Sequence, residues 1–271
     1  MFGYDGLHPA PVPSRVAAVP CVAPHRKRVR AEVARAGGGT IPADEKMKGI
    51  ARTRHDSPSP TAAQLARKAR SGVVIKDLGL PWLESLPVVE DEAQITPRTK
   101  AEVIGRTVAT TLCAVKGESG DQKLAQELLD KYAARALLSP AERAFMGAAS
   151  PSKEELANFS WRYECVHVFL WALGYLPRVA APDTIADVKT ETGFVAKEGA
   201  AFGKEATLRP LAEILDQNDL YYRLHWAAIE LRVAGKTHPR ANEEIIDERH
   251  RALNWLIRYM NQEWDDVTTD T

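Results

Sequence analysis

The chain has 271 residues, of which 45% are hydrophobic, 27% charged and 7% aromatic, ordinary fractions for a globular protein. Thirty-six Lys and Arg balance 36 Asp and Glu, which argues against a chain-wide basic field for nucleic acid. No run of about 18 apolar residues occurs, the length a membrane-spanning helix needs, and Cys21, Cys113 and Cys165 are too few for a disulfide framework or a thiolate zinc site. These features predict a protein of the reducing cytoplasm, without membrane partners.

Residues 1–60 differ from the remainder. They carry ten Lys and Arg but five acids, a surplus of five that leaves residues 61–271 with the opposite balance. Five prolines from Pro9 to Pro24, the triplet Gly37-Gly38-Gly39, and Pro58 and Pro60 punctuate the segment. So little sustained apolar period cannot offset the entropy of ordering the chain, and a disordered basic Pro/Gly/Ala-rich extension is expected. The basic stretch within residues 25–35 is the one place where phosphate contacts are conceivable, although a solvated tail explains it better. A secretory signal does not fit, because Val16–Val22 is short, is broken by Pro20 and precedes the charges.

From Thr61 onward the period is helical. Leu65, Ala69, Val73 and Ile75–Leu78 predict an amphipathic helix ending at Gly79. Leu83–Glu90 is short and proline-broken, and reads as an extended crossing. Val103, Ile104, Val108, Leu112 and Val115 predict the next helix, and Gln122–Leu138 another. Ser139-Pro140-Ala141-Glu142 combines a hydroxyl cap, Pro at the first helical position and Glu three residues after the cap. Ser152 and Glu155 repeat that spacing before the longest apolar stretch, Trp161–Leu176, whose Trp161, Cys165, Val168, Phe169, Ala172 and Leu173 form one broad face. Later helices are expected over Leu208–Gln217, Leu220–Ala234 and Asn242–Gln262. Sustained period-two alternation is missing. The expected fold is all-α, a single multi-helix, orthogonal bundle-like domain over residues 61–271.

Charges stand beside the tryptophans of three helices: Arg162 and Glu164 near Trp161, Arg223 and His225 near Trp226, and Glu248, Arg249 and His250 near Trp255. If those helices pack together, Glu164 pairs with Arg223 or Arg249, and Glu248 with Arg162, because an unpaired buried charge costs several kcal/mol. Two outcomes follow from the same convergence. One is an inter-helix network that fixes packing; the other is a polar pocket walled by aromatics.

Sharper motifs carry less. Glu164 and His167 have the spacing of a di-iron helix, but no second such pair accompanies them, so no metal is expected. Asp247, His250 and Asn254 share one helical face without an obvious nucleophile, and read as a polar inter-helix or solvated face. Cys165 sits among apolar neighbours and reads as packing. Walker A, dinucleotide-binding, nucleophile-elbow and zinc-protease motifs are missing, and no cofactor is expected. The segment Ala241–Thr271 holds eight acids against three arginines. Trp264 is placed to anchor that acidic end, which an oppositely charged N-terminal tail would weakly attract.

Ser160-Trp161-Arg162-Tyr163-Glu164, Leu170–Gly174, Asp219–Trp226, and Glu248–Leu256 together resemble the bacterial domain-of-unknown-function family numbered 4272 (DUF4272). The ending Trp264-Asp265-Asp266-Val267 to Thr271 is similar too; Ser85-Leu86-Pro87 and Leu138–Glu142 agree more loosely. The likeness spans about residues 65–271 and leaves out the basic N-terminus. His167 does not belong to the pattern. The resemblance implies a shared fold and a shared tryptophan-and-charge cluster, and brings no activity with it.

The expectation is a non-enzymatic binding or accessory module of a bacterial cytoplasm, a toxin-immunity role being one version. Its partner would be a protein or a small polar ligand, and its site Trp161, Arg162, Glu164, Tyr221, Arg223, His225, Trp226, Glu248, Arg249, His250 and Trp255. The rival is a hydrolase-like enzyme with Glu164 or Glu248 as general base, assisted by His225 or His250.

Overall fold

The computed structural model describes residues 59–271. The extension expected to be disordered over residues 1–60, its basic stretch and its attraction to the acidic end therefore lie outside the described residues, Ser59 and Pro60 excepted. The described chain is all-α, with no strand among the described residues. Its helices are α1 (Ala62–Asp77), α2 (Lys100–Ser119), α3 (Gln122–Lys131), α4 (Pro140–Gly147), α5 (Lys153–Ser160), α6 (Tyr163–Ala172), α7 (Val188–Glu198), α8 (Leu211–Val233) and α9 (Glu243–Leu256).

Local chemistry starts most of them. Thr61 with Gln64, Thr99 with Glu102, Ser139 with Glu142 and Ser152 with Glu155 each close a reciprocal capping box at the head of α1, α2, α4 and α5. Each box satisfies two backbone donors that the first helical turn leaves open. Asp121, Asp187 and Asn242 accept single cap bonds for α3, α7 and α9. Gly120 ends α2 in the left-handed region at φ 65°, where a side chain would be strained.

Helix α6 is central: all ten of its residues are buried, so it has no solvent face, and Glu164 and His167 are the polar residues in an otherwise largely apolar run. Helices α2 and α9 pack on it, and α9 also packs along α8. Phe169 on α6 meets Trp255 on α9 edge-on and Trp264 beyond it, with centroids 5.4 and 5.7 Å apart. Trp264 thus seats the C-terminal segment in the core, 5% exposed, while Asp265 and Asp266 stay in water.

Several boundaries differ from the sequence reading. The helix begun at Ser152 does not run through Trp161: the Arg162 and Glu164 amides bond three residues back, to Phe159 and Trp161, a tight turn that re-aims the chain into α6. Trp161 is therefore half-buried at the junction and off the α6 face. The stretch 122–138 breaks at Ala133, which has φ 47°. The two helices expected over 208–234 are one, α8, and the last helix stops at Leu256, before Arg258 at φ 53°. Helix α7 was not expected, since its Thr-rich, weakly apolar sequence lacks a strong period.

The largest correction concerns α1. Leu65, Ala69 and Val73, expected to face the core, are exposed, and the buried side is Gln64, Arg67, Ser71, Gly72 and Ile75. Acceptors on α8 explain the inversion. Arg67 and Arg70 bond to Asp216, and Ser71 donates to Asp219 at 2.6 Å. Segment 83–90 is not extended throughout: it turns at Glu84-Ser85, where the Leu86 amide bonds to the Leu83 carbonyl, and only residues 87–90 cross as a strap, with Leu86 and Val89 buried.

Candidate functional site

The charged residues beside the tryptophans do converge, but into separate networks. In the first, α6 and α9 grip the connection between α6 and α7. Arg249 forks onto Glu164 Oε2 through Nε and Nη2, at 2.9 and 2.8 Å. Its Nη1 donates to the Ala180 and Ala181 carbonyls and to the Tyr221 hydroxyl, and its Nη2 donates to the Thr184 carbonyl. Glu164 Oε1 accepts the Ala186 amide at 2.9 Å, and Tyr221 donates to the Ala180 carbonyl. Burial pushes the Glu164 carboxyl up, while Arg249 and the Ala186 amide pull it back. Every polar group here binds main chain of residues 180–186, so the cluster clamps a loop.

His167 joins that clamp. Its Nε2 accepts the Ala180 amide at 2.8 Å; since an amide can only donate, Nδ1 carries the proton and donates to Glu191 at 2.6 Å. Glu164 and His167, the pair with di-iron spacing, are thus turned to backbone amides. No cluster of metal-ligating side chains occurs among the described residues.

The second network joins α6, α9 and the C-terminal segment. Arg162 donates to Glu248 at 2.8 Å, the pairing expected from sequence, and the Cys165 thiol lies 3.1 Å from the Glu248 carbonyl. Burial, then Glu248, raises the Cys165 thiol, so it stays protonated. Burial alone would lower Arg162; Glu248 holds it above its ordinary value. Arg106, itself paired with Glu142, and Arg162 both lie over the Trp264 ring, at 4.9 and 5.5 Å, and Arg98 lies over Trp255 at 4.7 Å.

The third network corrects a pairing. Arg223 does not meet Glu164. It binds Asp219, one turn earlier on α8, through Nε and Nη2 at 2.9 Å each, and also donates to the Pro87 carbonyl. Its guanidinium lies between Trp82 and Tyr222, 5.3 and 5.7 Å from their centroids. The i,i+4 spacing of Asp219 and Arg223 was a readable signal that the tryptophan-centred reading overlooked.

The fourth network opens to solvent. His225 on α8 and His250 on α9 face each other through Nδ1 at 3.1 Å, and the other side of His225 lies 3.9 Å from Asp247. His250 lines a cleft of about 360 Å³ between strap 87–90, α8, α9 and the C-terminal residues, together with Asn218, Tyr222, Asn254, Tyr259, Glu90 and Asp270. Burial, then the neighbouring His225, lowers His250 to about 3 against the pull of Asp247. Burial lowers His225 as well. Of the expected site residues, His250 alone lines this cleft; Trp226 is half-buried against the core and Trp255 is buried within it.

The family described as Domain of unknown function (DUF4272) matches residues 67–267. The chain belongs to the DUF4272 family. No curated protein and no solved structure matches it. Within this DUF4272 chain the motif residues divide by role. Glu164, Tyr221 and Arg249 hold the loop 180–186, Arg162 and Glu248 brace Trp264, Asp219 and Arg223 hold the strap, and His250 reaches the cleft. Sequence reasoning missed Glu90, Asn218, Tyr222 and Tyr259; Asn218 and Tyr222 lie four apart on α8, a readable spacing, whereas Glu90 and Tyr259 come from segments that share no period with them.

Proposed function

We propose that this DUF4272 chain is a non-enzymatic binding module of the bacterial cytoplasm, residues 61–271 forming the module and the cleft beside His250 its ligand seat. The observation that carries the reading is the composition of the cleft floor. His250 and Asn218, 2% exposed each, line it while retaining ring and amide atoms with no protein partner among the described residues. Polar atoms that belong to nearly buried side chains yet have no protein partner are left to the water of the concavity, and a ligand that offers them donors would replace that water.

Two further observations support it. Glu164 and Glu248, the bases of an enzyme reading, belong to hydrogen-bond networks other than the one containing His225 and His250, and neither lines the cleft. The Cys113 and Cys165 thiols are free, buried and raised by burial, which suits reducing surroundings. No helix among the described residues is long and apolar enough to cross a membrane.

A fragment screen by NMR on the isotope-labelled full chain tests the seat. Hits should move the side-chain amides of Asn218 and Asn254 and weaken in Tyr222→Ala. Hits that map elsewhere, or binding indifferent to Tyr222, would reject this location.

A further inference from the structure

We infer that the cleft selects a ligand bearing an ammonium or guanidinium group, because two hydrogen-bond relays both end there in acceptors and two carboxylates line it. The inference rests on the binding reading above and deepens it to a ligand class.

The first relay starts at Asp247, whose Oδ1 accepts from Thr269 at 2.7 Å and lies 3.9 Å from His225 Nε2. That separation is too long for a hydrogen bond but close enough for the carboxylate to favour a proton, over a lone pair, on the facing nitrogen. With Nε2 protonated, neutral His225 offers Nδ1 as acceptor. His250, 3.1 Å away through its own Nδ1, must then donate, and its Nε2 keeps a lone pair. That nitrogen has no protein partner among the described residues, and the ring lines the cleft. Burial and the neighbouring imidazole keep His250 neutral, at about 3, so the acceptor persists at physiological pH.

The second relay starts at the Thr268 carbonyl, which can only accept. Asn254 Nδ2 donates to it at 2.8 Å, which fixes the amide orientation. Asn254 Oδ1 then accepts from Asn218 Nδ2 at 2.7 Å. What remains of Asn218 is its carbonyl oxygen, again without a protein partner among the described residues and again in the cleft lining.

Charge agrees with this polarity. Among the described residues Glu90 and Asp270 line the cleft and no Lys or Arg does; the Glu90 carboxylate has no ion-pair or hydrogen-bond partner among them. After burial, the Asp270 and Glu90 carboxylates are what raise the Tyr259 hydroxyl, a sign of the local negative field. Arg223 stands behind Tyr222 and Pro87 with its charge matched by Asp219. The rings of Tyr222 and Tyr259 add the faces on which a cation is held.

The test has two arms on the isotope-labelled full chain. Long-range nitrogen–proton spectra should show the proton on Nε2 of His225 and on Nδ1 of His250; the reverse assignment overturns the first relay. Titrations at constant ionic strength then compare n-butylammonium, n-butylguanidinium, n-butanol and butyrate. The two cations should move the Asn218 and Asn254 amides and bind at least about tenfold tighter than butanol, a difference of one decade in Kd. Glu90→Gln, which breaks no side-chain hydrogen bond or ion pair among the described residues, should cut cation binding severalfold and leave butanol unchanged. Equal or tighter binding of butanol or butyrate at the same amides overturns the cation class but keeps the seat. Absence of any response at these amides rejects the seat and the class together.

Discussion

Arg249 and Glu164 meet with no water between them: the guanidinium is 0% exposed and the carboxylate 1%, and both complete their valences on the backbone of residues 180–186. Taking two charges out of water is costly, and their attraction repays it only when the remaining donors and acceptors are filled. Here they are filled by carbonyls and an amide of one loop, so the pair and the loop stand or fall together.

Arg249→Ala should therefore destabilise the fold by about 3–5 kcal/mol, because it leaves the buried Glu164 carboxylate without its counter-charge and the Thr184 carbonyl without its side-chain donor, while the Ala180 and Ala181 carbonyls each lose one of two donors. For a domain of this size that corresponds to a fall in Tm of roughly 10 °C. Amide exchange should quicken first at Ala186, whose acceptor is Glu164. A Tm within a degree of the wild type would show that the clamp is dispensable.

Gly117 on α2 lies against the end of α5. An added Cβ would come within 2.5 Å of the Ser160 amide nitrogen and 2.9 Å of the Leu156 carbonyl. Alanine is the better helix former by about 1 kcal/mol, yet backbone cannot yield as a side-chain tip can. Gly117→Ala should lower stability despite its propensity, by about 1–3 kcal/mol, the usual range for overpacking. Chemical denaturation decides it; a rise in the midpoint would mean the helices separate freely.

Acid should weaken the fold through His250. Its folded value, about 3, is below the ordinary histidine value, so below about pH 6.5 the unfolded chain binds a proton that the folded chain refuses. Stability is then complete above that pH and falls as pH drops toward about 3, by roughly 1.4 kcal/mol per unit for one proton. Buried His225, also lowered, acts in the same direction. Tm recorded between about pH 7 and pH 5 should decline less steeply in His250→Gln than in the wild type; parallel curves would contradict the neutral, buried imidazole.

On α1, Leu65 and Val73 are 52% and 60% exposed. The double change Leu65→Lys, Val73→Lys should shift stability by no more than about 0.5 kcal/mol. Ile75→Ala on the same helix, at 0% exposure, should cost about 2–5 kcal/mol. A loss of about 2–5 kcal/mol from the double change would place Leu65 and Val73 in the core beside Ile75.

The helix starts at Ser139 and Ser152, the buried run of α6, the Arg162–Glu248 pair and the seating of Trp264 were legible from residue order. Capping chemistry operates within one turn, and a helix with apolar residues on every side can hide only inside a core. Interactions inside a helix are set by a spacing of three or four positions, which a reader of the chain can count. Which faces meet between helices depends on how each is rotated and how deep it lies. That is why α1 could invert its apparent apolar face: Arg67 and Ser71 turned inward once Asp216 and Asp219 on α8 stood opposite them. The same reason hid the cleft. Glu90, Asn218, His250 and Asp270 are scattered over the chain and share no period, and packing alone brings them to one wall.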